Sequence, residues 1–380
     1  MKKRMMALGS VFSLLLVPGL AFSGNVSDVT QVGNSNITTA DQTGADNTSM
    51  VAQYGNQLKA DVDQIGNSNN ATVDQGTPGS PVSASALIGY VSGAVIYQEG
   101  DSNTASTTWH TGNIGSRIDQ RGNDNEGSQD LSAPSGYKAG KYAIDIQQVG
   151  NNNQAAQTTA YSYGSFGIQD MLIQQTGNAN RAIQDSVGGR SSVMTIIQNG
   201  DSNMSSQYQD GMFDVAEANV VGNANITDQN QDSNSWGALT SHNSATIDIL
   251  GDANNATQSQ FGVSDVAVAN VVGNANMTAQ NQVSGVSSPA VTSNNKATVD
   301  ILGDTNSATQ TQLGLSNLAD IDISGGSNTA SQSQTGDYNI ANLTQTGDHN
   351  FSSQSQIGNG NSSTVSQTGN LNNAIVAQQN

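Results

Sequence analysis

One line of residues returns along nearly the whole chain. Between Gln64 and Gln75 it reads QIGNSNNATVDQ: a glutamine, a glycine at the third place, an asparagine at the sixth, an alanine at the eighth and a closing glutamine. The line opens at Gln31, Gln42, Gln53 and Gln64, 11 residues apart, closes at Gln75, and returns at Gln98, Gln120, Gln148, Gln175 and Gln198. It comes back at Gln334, Gln345, Gln356 and Gln367, ending near Gln378. The asparagines at the matching place are Asn36, Asn47, Asn69, Asn103, Asn125, Asn153, Asn180 and Asn203, then Asn339, Asn350, Asn361 and Asn372. A repeat this regular must be read before anything else, because it dictates one supersecondary unit copied many times.

The glycines set the length of the unit. Gly33, Gly44 and Gly66 open the series, and Gly100, Gly122, Gly150, Gly177, Gly200, Gly222, Gly251, Gly273, Gly303, Gly325, Gly347 and Gly369 follow at steps of 22 to 30, with Gly336 and Gly358 between the last of them. The basic unit is therefore about 22 residues, with extra residues in some copies. A longer duplication is superimposed: DVAEANVVGNANITDQNQ from Asp214 matches DVAVANVVGNANMTAQNQ from Asp265.

Within a unit the pattern has period two, which predicts strands. Leu58, Ala60, Val62 and Gln64 fall on one face, with Lys59, Asp61 and Asp63 on the other. After the turn, Asn69, Ala71, Val73 and Gln75 share a face. Each unit is a strand, a G-x-x-N turn and a strand. Glycine reaches backbone angles that other residues avoid, and asparagine tolerates them next best. Two such strands cannot bury a face alone, but stacked copies can. At a spacing of about 4.8 Å, identical residues lie over one another. Inward amides, costly if unpaired, then bond to their copies above and below, since each carries donors and an acceptor. The expected fold is all-β: a solenoid of roughly 15 coils, about 70 Å long.

Composition agrees. Hydrophobic residues are 34% and aromatic residues 4% of 380, and Asn, Gln, Ser, Thr and Gly make up about half, too polar for one large core. Residues 1–23 read as a signal peptide: Lys2, Lys3 and Arg4, an apolar run from Met5 to Leu20, and Ala21-Phe22-Ser23 as the cleavage site. No later run is long enough to span a membrane. The formal charge of −19, more negative still once that segment is gone, repels nucleic acid and anionic lipid. There is no cysteine, hence no disulfide. Residues 24–380 are expected to form one solenoid, with loop-rich inserts near 76–97, 127–143, 154–169, 232–243 and 283–294. Pro78, Pro81, Pro134 and Pro289 all fall in these inserts, where they break no ladder.

The motif Q-x-G-x-x-N-x-A-x-x-x-Q closely resembles the curlin repeat, the unit of the bacterial curli amyloid subunits. Gln64, Gly66, Asn69, Ala71 and Gln75 match it place for place, as do Gln334, Gly336, Asn339, Ala341 and Gln345. The resemblance implies a secreted subunit that polymerises into extracellular amyloid fibres of the biofilm matrix and promotes adhesion. It also implies partners: further copies of the chain, other curlin-like subunits and an outer-membrane secretion pore. The chain departs from the family where Val220, Ile249, Val271 and Ile301 take the first glutamine's place, and glutamines appear instead as Q-x-Q pairs at Gln229/Gln231, Gln258/Gln260, Gln310/Gln312 and Gln332/Gln334. The leader before the first repeat is only GNVSDVT.

Other functions find less in the residues. His110, His242 and His349 are scattered and without ligand spacing, so no catalytic centre, cofactor or metal site is expected. Gly-Asp pairs at Asp101, Asp201, Asp252, Asp304, Asp337 and Asp348 raise weak calcium binding, but aspartate alternates there with asparagine and suits a turn equally. Trp109, Trp236, Tyr161 and Tyr163 lie in or near inserts and read as exposed aromatics packing on a neighbouring coil. A monomeric surface adhesin and a fibre nucleator are the alternatives to a main fibre subunit. Repeats begin at Gln31 and run to Gln378 with no polar cap between them and the sequence ends, which favours a fibre.

Overall fold

A computed structural model of the chain describes residues 24–77, 82–83, 93–110, 115–132, 142–160, 169–190, 192–232, 241–284 and 293–380. The signal-like segment, all five prolines, Trp236, Tyr161 and Tyr163 lie outside these residues. The chain is all-β, a solenoid of two parallel sheets. Sheet 1 stacks fifteen strands from Val26–Val32 to Asn373–Gln379, plus the two-residue strand Val82–Ser83 beside Thr48–Asn56, and sheet 2 stacks fourteen from Ile37–Thr43 to Ser362–Thr368. Successive strands of the chain alternate between the sheets, so one coil is a strand in each.

Register is kept along the stack apart from one shift, between Val187 and Arg190 where Arg181–Arg190 pairs Met204–Met212. Lys59–Ile65 lies over Ile37–Thr43 with Gln64 on Gln42, and Ser307–Leu313 lies over Met277–Val283 with Gln310 on Gln280. A one-residue slip would turn every inward side chain out, so burial on one face fixes the register. Burial follows the period of two: along Lys59–Ile65, Ala60, Val62 and Gln64 are buried and Lys59, Asp61 and Ile65 exposed. Each strand contributes three inward places. In sheet 2 the middle place is aliphatic throughout, from Ala40 and Val62 through Ile146, Ile196 and Ile247 to Leu343 and Val365.

The two edges of the solenoid differ. Every connection from sheet 2 back to sheet 1 is four residues long, whereas the connections from sheet 1 to sheet 2 include 76–92, 110–114, 133–141, 161–168, 233–243 and 284–295. All the inserts therefore leave from one edge. They are narrower than the sequence suggested: residues 93–97, 127–132 and 154–160 are strand.

The four-residue turns at the insert-free edge share one conformation. Glycine takes a positive φ, 113° at Gly100 and 133° at Gly200, and the third turn residue is left-handed, as at Ser102 (59°) and Ser202 (58°). The asparagine that follows has no unusual φ, so its place in the motif comes from hydrogen bonding and not, as the sequence suggested, from tolerance of such angles. Glycine is needed twice over, since a Cβ on Gly200 would overlap the carbonyl of Gly222 one coil on.

Trp109 corrects another expectation. It is 1% exposed and stands in the inward column above Gln75, its indole Nε1 donating to Ser116 Oγ at 3.2 Å. That bond also shows which columns face each other across the interior. Trp109, Leu131, Thr159 and Ser186 stack in sheet 1, opposite Ser116, Ile144, Met171 and Met194 in sheet 2. Trp109 opposes the small Ser116, and Met171 and Met194 oppose Thr159 and Ser186, which keeps the interior filled as the sequence varies.

Candidate functional site, stacked amides and open coil ends

The inward glutamines form hydrogen-bonded columns. In sheet 2 the amide of Gln42 donates to Gln64 at 2.7 Å, and the column continues through Gln98, Gln120, Gln148 and Gln175 to Gln198 with spacings of 2.8–2.9 Å. From Gln42 to Gln175 each Nε2 spends one N–H on the next glutamine and the other on a backbone carbonyl across the interior, as Gln64 does on Thr48, while Gln198 donates to Ser205 Oγ and the Arg181 carbonyl. From Gln64 onward each Oε1 accepts from the glutamine before it. Amides that would burden an apolar interior are thereby satisfied.

At Val220, Ile249, Val271, Ile301 and Ile323 this column turns aliphatic, and Gln345–Gln367 resumes it at 2.9 Å. The amides have crossed to sheet 1. There Gln31, Gln53 and Gln75 form a short column, and after the Trp109 stretch Gln209, Gln231, Gln260, Gln282, Gln312, Gln334, Gln356 and Gln378 form a long one. Beside it, two residues earlier in each strand, runs a third column from Gln129 through Gln157, Gln184, Gln207, Gln229, Gln258, Gln280, Gln310 and Gln332 to Gln354.

Sequence reasoning missed Gln129, Gln157, Gln184, Gln207, Gln209, Gln280, Gln282 and Gln354. The signal was present: Gln207/Gln209, Gln280/Gln282 and Gln354/Gln356 are Q-x-Q pairs in the same inward phase as the pairs it noticed.

Asparagine makes two further columns in the turns. At the insert-free edge Asn47, Asn69, Asn103, Asn125, Asn153, Asn180 and Asn203 stack and continue to Asn350 and Asn372; from Asn69 to Asn203 and at Asn372 Nδ2 donates to the Oδ1 one coil back, at 3.0–3.1 Å from Asn69 to Asn125, whereas Asn47 and Asn350 make that bond through the backbone N–H. The second amide hydrogen reaches forward to a turn-glycine carbonyl, as from Asn69 to Gly100 at 2.7 Å. Asn36, Asn339 and Asn361 belong to the insert-bearing edge, with Gly33, Gly336 and Gly358. The sequence motif thus serves two separate edges. The remaining turn glycines, from Gly44 to Gly369, stack on the insert-free edge.

Two members of the insert-edge column are aspartates. Asp214 and Asp265, both fully buried, accept the N–H of Asn243 and Asn295 at 2.8 and 2.9 Å. Burial pushes their carboxyls up to about 7 and about 6, against the pull of those N–H groups and the nearby hydroxyls of Ser241 and Ser293. The turn aspartates that raised calcium have a structural partner: Asp101, Asp201, Asp252 and Asp304 each accept the backbone N–H and the Nδ2 or N–H of the turn asparagine one coil back. Asp337 and Asp348 accept from Leu315 and Gly326 N–H. Among the described residues no three His, Asp or Glu side chains gather as a metal-ligand set, and no helix is long and apolar enough to cross a membrane.

The columns are polar from end to end and stop at open strands. Val26–Val32 is exposed along its length, and Asn373–Gln379 alternates between exposed and half-buried. At the high-numbered end Gln367 and Gln378 donate one N–H to Phe351 and Ser362 carbonyls and have no further glutamine for the other. At the low-numbered end Gln31 and Gln42 donate onward and have no glutamine donating to their Oε1. In the glutamine columns the high-numbered end offers donors and the low-numbered end acceptors.

Residues 24–55 and 44–76 match the family model of the curlin associated repeat. Residues 24–76 are curlin repeats. The matched stretch holds the first columns of both sheets, and strands of the same two sheets continue to Gln379. No curated protein matches the chain.

Proposed function

We propose that the chain is a structural subunit, secreted to the outside of the cell, that polymerises end to end into curli-like amyloid fibres of a biofilm matrix and mediates adhesion. The curlin-repeat family is structural, and its subunits self-assemble. The observation that carries the reading is the pair of open coil ends, with ladder donors at Gln367 and Gln378 and ladder acceptors at Gln31 and Gln42. An unpaired, in-register strand edge is a template for another chain. Here the template matches the chain's own opposite end. In this reading other curlin-like subunits and an outer-membrane pore are the further partners, and the first 23 residues direct export.

A thioflavin time course on the purified chain lacking residues 1–23, with and without preformed seeds, tests it. Growth after a lag that seeding removes is the expected result. A chain that shows strand signal and stays monomeric for days would instead be a self-contained solenoid acting through its inserts.

A further inference from the structure

The two sheets hold unequal numbers of strands among the described residues, fifteen on the main path of sheet 1 and fourteen in sheet 2. Residues 26–379 therefore make a whole number of coils plus one half-coil. This has a geometric consequence for any stack of such units. If a second copy sits on the first in the same orientation, Val26–Val32 lands on Asn373–Gln379 in sheet 1. Its Ile37–Thr43 then stands two strand spacings, about 9.6 Å, from Ser362–Thr368 in sheet 2. One strand place stays empty, and the backbone N–H and C=O groups on both sides of it have no partner.

Turning the second copy by half a turn about the stacking axis removes the gap. Strands run in opposite directions in the two sheets of a coil, so the rotation carries a sheet 1 strand onto sheet 2 with its direction correct for parallel pairing. Val26–Val32 then continues sheet 2 on Ser362–Thr368, and Ile37–Thr43 continues sheet 1 on Asn373–Gln379.

The inward residues fit that seating. Ser27, Val29 and Gln31 fall on Ser363, Val365 and Gln367, like upon like. Thr38, Ala40 and Gln42 fall on Ala374, Val376 and Gln378. The N–H donors of Gln367 and Gln378 meet the free Oε1 of Gln31 and Gln42. The chain break falls in a turn: Asn380 occupies the glycine place beside Gly358, its Oδ1 accepting Asn359 N–H at 3.1 Å. Asn25 occupies the turn-asparagine place, its Oδ1 accepting Asn47 N–H at 3.1 Å.

We infer that copies of this chain join head to tail with a half-turn between neighbours, so that the insert-bearing edge alternates between the two flanks of the fibre. The inference rests on the end-to-end polymer proposed above.

Electron microscopy of fibres labelled at a single cysteine tests it, since the chain has none of its own. His110 lies on the insert-bearing edge, so His110→Cys carrying a gold cluster marks that flank. The expected image shows labels about 70 Å apart along the axis and on alternate flanks, with same-flank repeats near 140 Å. A second variant lacking residues 370–380 has one half-coil fewer and fourteen strands in each sheet, and its labels are expected on one flank every 67 Å or so. Same-flank labels on the undeleted chain would overturn the half-turn and leave the polymer standing. Absence of fibres from both proteins would overturn the polymer reading itself, and the half-turn with it.

Discussion

Asp214 stands one coil below Asn243 in the insert-edge column, accepting its N–H at 2.8 Å through Oδ1 while its Oδ2 is buried without a hydrogen-bond partner. Asp265 repeats the arrangement under Asn295. Both carboxyls have folded pKa values, about 7 and about 6, above the ordinary 3.8. Folding therefore takes up protons in this window, and stability falls as pH rises from about 4 through 7. The double change Asp214→Asn and Asp265→Asn is expected to remove that loss, by on the order of 3 kcal/mol per site at pH 8. Urea midpoints of soluble chain at pH 4 and pH 8 check it: the gap between the two pH values should narrow in the variant.

Neighbouring residues separate ladder from surface. Gln312 is buried and bonded to Gln282, Gln334 and the Lys296 carbonyl, whereas Thr311 is exposed on the outer face. Gln312→Lys is expected to cost about 4 kcal/mol by burying an unpaired charge and orphaning two amides, and Thr311→Lys less than about 0.5 kcal/mol. Equal denaturation midpoints for the two variants would contradict the ladder.

Gly200→Ala is expected to destabilise the solenoid by about 3 kcal/mol or more. Its φ of 133° disfavours a side chain, and the new Cβ would overlap the Gly222 carbonyl. Gly360, whose Cβ would meet nothing within 4 Å, is the control, and thermal melts of the two alanine variants should differ widely.

Outer-face carboxylates stack as well. Burial and the nearby Asp61 and Asp41 raise Asp63, and burial with Asp300 and Asp322 raises Asp320. Raised carboxyls favour the stacked state as pH falls, and salt screens those exposed on the surface. The lag before fibre growth should therefore shorten as pH drops from 7 toward 4, and as salt rises at fixed pH. A lag that lengthens in either series would count against stacked-charge repulsion.

Much of this was legible in the residues. Period-two patterning placed Leu58, Ala60, Val62 and Gln64 inside, and the structure buries all four. The exchange of Gln198 for Val220 in sheet 2 was visible as a shift to Q-x-Q pairs. What escaped reading depended on which columns face each other. Trp109 looked like a loop aromatic because nothing local says that Ser116 waits opposite its indole. Asp214 and Asp265 read only as the starts of a duplicated stretch, because their place in the insert-edge column appears only once Asn243, 29 residues beyond Asp214, is folded back onto the same edge. Single-edge placement of the inserts was hidden for the same reason: a motif of 11 residues looks alike at both turns.

Because every insert sits in the connections on one side, the number of residues and the axial length of the subunit are separate variables. The rise along the stack counts strands alone, so a homologous chain with inserts dozens of residues longer would keep the same repeat distance. Diversity can then accumulate along one flank of the molecule while the gauge of the polymer stays fixed.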